Sequence, residues 1–109
     1  MGRYLMVVQS QGIAGHEEDL PRWYDEVHFH EMCAIPGVVS ARRYLVTDNS
    51  PVKPAIPNLA IYEIEADDIA TVSREIYKRT RAGEMTRLDT LDRETMTMVF
   101  YELKSEVAG

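Results

Sequence analysis

The stretch Trp23-Tyr24-Asp25-Glu26-Val27-His28-Phe29-His30 gathers three aromatic and two imidazole side chains within eight residues. Imidazole titrates near neutral pH, so His28 can accept or donate a proton without a large adjustment of its pKa. On a continuous helix His28 lies one turn after Tyr24, which makes the two side chains neighbours. His28, His30 and Tyr24 are therefore the candidate catalytic residues. His28 flanks the apolar stripe of such a helix, as suits a group at a pocket rim. The structural alternative is a histidine packed at a helix end with its N–H on a carbonyl. Residues two apart on a helix point about 200° apart. His28 and His30 can then share a metal only if the chain unwinds after Val27. His16, Glu26 and Glu31 add no recognised zinc spacing to them, and no metal site is expected.

The second set of candidates would bind rather than react. Trp23, Tyr44 and Tyr62 can wall a pocket, and tyrosine adds a hydroxyl that orients a substrate. For Trp23 an ordinary core position is the stronger reading. Arg43 lies in a half-buried strand, where a guanidinium needs an anionic or carbonyl partner. A substrate carboxylate is one option, and Glu63 or Glu102 is the other. Cys33 is read as a small buried hydrophobe, since little near it in sequence would lower its thiol pKa. Gly12 and Gly15 form no GxGxxG or GxxxxGK phosphate loop, and no cofactor is expected.

These residues must be positioned by regular elements. Arg3 to Gln9 reads as a strand ending at turn residues. From about His16 to about Ile35 the spacing is helical, with Leu20, Trp23, Tyr24, Val27 and Ala34 on the apolar side. Acidic residues crowd its start, Pro21 is tolerated in the first turn, and Pro36-Gly37 stops it. Val38 to Val46 is a second strand, Thr47 to Asn58 a proline-rich loop, and Leu59 to Glu65 a third strand. Asp67 and Asp68 are N-cap candidates for a helix reaching about Ala82, with basic residues in its last turn and Gly83 after it. Met85, Leu88 and Leu91 permit a short helical turn, and Thr95 to Lys104 is the fourth strand. The order β-α-β-β-α-β predicts an α+β, ferredoxin-like fold with a four-stranded antiparallel sheet, in one domain spanning 1–109.

Two helices can cover one face of such a sheet, and a wet face should be polar at every second position. Here the first, third and fourth strands carry apolar side chains on both faces. A second copy of the chain is the expected cover, giving a homodimeric α/β barrel. The formal charge of −6 argues against nucleic acid and anionic membranes as partners. No apolar run is long enough to span a bilayer. The single cysteine excludes an internal disulfide and fits a reducing, cytoplasmic setting.

The segment Trp23 to His28, followed by Ile35-Pro36-Gly37-Val38-Val39-Ser40-Ala41-Arg42-Arg43-Tyr44, resembles the signature of small bacterial dimeric α/β-barrel proteins of the EthD-like group. Leu59 to Glu65 resembles the strand that follows in those proteins. Members commonly read His-x-Pro where this chain reads His28-Phe29-His30, so a second histidine replaces the proline. The resemblance implies a homodimer with a pocket between sheet and helices, and it implies no single reaction. The wider superfamily holds cofactor-free monooxygenases, polyketide cyclases, lactone isomerases, lyases and haem enzymes. Residues and resemblance together point to a cofactor-independent enzyme acting on a small aromatic or polyketide-like metabolite by acid/base chemistry. The reaction would be of isomerase, cyclase or lyase type. The alternatives are a non-catalytic small-molecule-binding or stress-related module and, ranking lower, a monooxygenase or haem-binding barrel.

Overall fold

The computed structural model describes residues 1–109. Strand β1 (Gly2–Ser10) pairs antiparallel with β3 (Asn58–Ala66) on one side and with β4 (Thr97–Glu102) on the other. Strand β2 (Val38–Leu45) completes the sheet on the far edge of β3, so the strand order is β2-β3-β1-β4. Period-two alternation decides the two faces. Tyr4, Met6, Val8 and Ser10 of β1 and Ala60, Tyr62 and Ile64 of β3 turn toward the helices, and most are buried.

The first helical segment is one rod in three parts. Helix α1 (Asp19–Trp23) passes into a π-helical turn (Tyr24–His28) and then into α2 (Phe29–Cys33). The π turn is closed by the Phe29 N–H donating to the Tyr24 carbonyl, five residues back. The sequence explains it. The inward residues are Leu20, Tyr24, His28 and Met32, each four apart, with the first, second and last fully buried. On a regular α-helix a four-residue spacing drifts about 40° per step, or about 120° over three steps. The extra residue of the π turn takes up that drift and keeps the row facing the sheet. It also corrects the regular α-helical stripe: Ala34 and Cys33 are exposed, and Phe29, Met32 and Ile35 pack inward instead. Cys33 is therefore not the buried hydrophobe expected.

Gly37 ends the turn after the rod with φ +98°, and a Cβ there would press on the Glu65 carbonyl and on Val72 at 3.1 Å. Only glycine fits that conformation and that approach. Helix α3 (Ile69–Arg81) starts on Asp68, whose carboxylate accepts from the Ala70 N–H at 3.0 Å, and its last turn holds Lys78, Arg79 and Arg81. Residues 84–96 form no helix, contrary to the three-residue spacing of Met85, Leu88 and Leu91. They run as a strap across the helical side. The strap is tied down by Ile13 N–H to the Thr90 carbonyl, Asp92 N–H to the Gln11 carbonyl, and Thr90 Oγ1 to Asp19 Oδ2.

The other sheet face has no cover. Val7 sits opposite both Ile61 and Val99, and Leu5 sits opposite Tyr101, so an apolar patch crosses three strands. Val99 is 41% and Tyr101 55% exposed. No helix is long and apolar enough to cross a membrane.

Candidate functional site

A cavity of about 500 Å³ lies between the sheet, the helical rod, α3 and the strap. Most of its lining is apolar, including Met6, Val8, Met32, Leu88 and Phe100. That size and character suit a small organic molecule. Trp23, Tyr24, His28 and Tyr62 all reach it.

The π turn sets the histidine. It brings residues five apart into line, and the His28 ring stacks on Trp23 at 4.2 Å between centroids, 14° from parallel. Tyr24 meets the imidazole edge-on at 5.8 Å and Tyr62 at 6.3 Å. Enclosure by these rings disfavours the charged form and lowers the His28 pKa to about 4, with Glu31 partly opposing the shift. His28 is thus a neutral imidazole at physiological pH.

Glu31 follows one turn later on the same rod. Its Oε1 stands 3.8 Å from His28 Nδ1, and neither atom has a hydrogen-bond partner although both are buried. At that distance the contact is electrostatic rather than a hydrogen bond. Glu31 Oε2 is fixed by the strap, accepting from the Thr86 N–H and the Thr86 hydroxyl, both at 2.8 Å. The Thr86 carbonyl in turn accepts from Trp23 Nε1 at 3.1 Å. One threonine of the strap therefore holds both neighbours of His28. With Nδ1 buried toward Glu31, Nε2 is the nitrogen left to meet a ligand.

The tyrosines stay protonated. Burial raises the Tyr24 pKa, against a 2.8 Å hydrogen bond between its hydroxyl and the buried Ser10 hydroxyl. Burial raises the Tyr62 pKa further, and the Tyr62 hydroxyl is buried with no partner.

The remaining sequence candidates fall elsewhere. His30 is exposed on the outer side of the rod, because the helix runs on through it and the two histidines diverge. Tyr44 is 48% exposed and projects from the opposite sheet face. Arg43 faces the helices but is absent from the cavity wall; its Nε and Nη2 donate to the two carboxylate oxygens of Asp25 at 3.2 and 2.9 Å. That ion pair ties β2 to the π turn and raises the Arg43 pKa. Its partner is neither Glu63 nor Glu102, since Glu63 pairs with Arg42 on the other face. No three His, Cys, Asp or Glu side chains converge as a metal cage requires. The sequence reading missed Glu31 as the partner of His28, although the i, i+3 spacing carries that signal. Thr86 and the rest of the strap had no local signal at all.

No family model matches the chain, and no curated protein matches it. Solved structures do. A dimeric ferredoxin-like protein of unknown function from Jannaschia sp. superposes with a TM-score of 0.64 at 13% identity, covering 94% of this chain and 100% of that one. An EthD family protein from Bacillus halodurans gives 0.59 at 12% identity, with 95% and 100% coverage. A monooxygenase of Streptomyces coelicolor in complex with nanaomycin D gives 0.53 at 13% identity, with 99% and 92% coverage. At such identities the likeness is one of fold: this chain is a ferredoxin-like α+β domain, built as the dimeric ferredoxin-like and EthD family structures are built.

Proposed function

We propose that the protein is a cofactor-independent enzyme that moves a proton on a small, largely apolar ring compound, and that it works as a homodimer. The reading is carried by one observation. A half-buried, neutral imidazole lines an apolar cavity with its buried Nδ1 turned to a carboxylate that the strap holds in place. His28 Nε2 takes a proton from carbon next to a substrate carbonyl. Glu31 stabilises the imidazolium that forms, as the carboxylate does in a catalytic triad. The protonated Tyr62 hydroxyl, which has no partner of its own, would be the donor for the developing enolate oxygen once the bound substrate uncovers it. A bound ring compound that displaces water from the apolar walls would strengthen both effects. Isomerisation, cyclisation and lyase chemistry all begin with this step. A second copy covers the Ile61–Val7–Val99 patch, and the free thiol of Cys33 fits a cytoplasmic location.

The test is hydrogen exchange of 2-tetralone, a bicyclic ketone, in D2O followed by proton NMR. The wild-type protein is expected to accelerate loss of the signal next to the carbonyl. His28→Ala is expected to slow the catalysed exchange by about 100-fold or more, the usual share of a general base. Equal rates for the two proteins would contradict the proposal. Oxygen uptake in place of exchange would move the reading to the chemistry named for the Streptomyces coelicolor neighbour.

A further inference from the structure

The strap residues of the cavity carry a charge pattern that the proton-transfer reading does not use. The lining contains two arginines, Arg87 and Arg93, and no carboxylate. This is in a chain with 18 acidic and 12 basic side chains. Chance exposure would favour acids in the lining, and none is among the lining residues.

The two arginines differ. Arg87 donates to Asp89 at 3.1 Å, a pair open to solvent. Arg93 has no carboxylate partner. It makes one hydrogen bond, from Nη1 to the Leu91 carbonyl at 3.3 Å. A guanidinium has five N–H donors in a planar fork, so most of this fork is free. It stands at the rim of an apolar chamber, where a charge-assisted bond is shorter and stronger than a neutral one. Beneath the cavity wall, the Tyr62 hydroxyl is a second donor without an acceptor. Glu31, the acid closest in the site's wiring, stands behind His28 with Oε2 taken up by Thr86. The overall negative charge works against anions at long range, but salt screens it beyond about 8–10 Å. The local pattern decides what the cavity accepts.

We infer that the ligand is an amphipathic organic anion: an apolar ring body in the cavity, with a carboxylate or equally acidic oxygen on the Arg93 fork. This rests on the cavity being the ligand site, and it narrows the substrate class of the proposed reaction. Thr86 and Arg93 then divide the work of the strap, one holding the catalytic pair and the other the charged end of the ligand.

Isothermal titration of the full chain with 2-naphthoate and with its neutral counterpart 2-naphthamide tests it. The acid is expected to bind at least tenfold more tightly, with the preference shrinking as salt rises. Arg93→Gln is expected to bring the two to parity while leaving naphthamide unchanged. Arg87→Gln, whose charge is already paired, is expected to keep most of the preference. Equal affinity for both compounds, no binding of naphthoate at millimolar concentration, or a preference that survives Arg93→Gln overturns the inference. The two proposals fail separately. Acid preference without any exchange of 2-tetralone leaves the anion site standing and removes proton transfer. Exchange that depends on His28 without acid preference does the reverse.

Discussion

Among individual residues, Tyr62 and His28 carry polar atoms that the fold buries and leaves unpaired. A buried hydroxyl without a partner costs about 1–3 kcal/mol. A protein tolerates that cost where the group serves another purpose, because natural chains trade stability for activity. Tyr62→Phe is therefore expected to raise stability by about 1 kcal/mol in urea denaturation and to slow ketone exchange. A destabilised variant would mean that the hydroxyl holds the core together. Of the residues picked from type and spacing, His28, Tyr24, Trp23 and Tyr62 converge on the cavity. His30, Arg43 and Tyr44 do not. The separation has a plain cause: helix phase and strand face fix direction, and a local sequence gives the alternation without saying which side meets the helices. The carboxylate that takes up Arg43 is 18 residues away in sequence.

Among the elements, the helical rod shows where reading by periodicity stops. All four strands and both helical segments were legible from alternation, caps and stops, with ends displaced by a few residues. The π turn was not, because a regular period of 3.6 residues has no place for its extra residue. The four-residue spacing of Leu20, Tyr24, His28 and Met32 is its only sequence trace. The strap was illegible for a different reason: its hydrogen bonds are long-range, from Thr86 to Glu31 and from Thr90 to Asp19. If the π turn exists for the site, removing its extra residue should separate folding from function. Deleting the exposed Glu26 is expected to regularise the rod, leaving the thermal midpoint at or above that of the wild type. The same deletion should undo the Trp23–His28 stack and lower exchange at least tenfold. Full activity in the deletion variant would detach the π turn from the chemistry.

For the whole molecule, the sheet is finished on one side only. Leu5, Val7, Ile61, Val99 and Tyr101 make a patch that one chain leaves in water, and fully burying each large apolar side chain is worth about 1.5–3 kcal/mol. The proposed second copy would supply that burial. Sedimentation equilibrium is expected to give a dimer for the wild type. Ile61→Asp is expected to give a folded monomer by circular dichroism and sedimentation, since an unpaired carboxylate in a buried interface costs several kcal/mol. A wild-type monomer at about 100 µM would remove the barrel. The proposed chemistry has a narrower requirement: a neutral His28 whose Nδ1 proton faces Glu31. Long-range proton–nitrogen NMR of the His28 ring measures this directly. A proton on Nδ1 and a bare Nε2 are expected from about pH 8 down to about pH 5, with a second proton gained only as pH falls toward about 4. A ring that titrates at an ordinary 6.5, or that carries its neutral-state proton on Nε2, would contradict it.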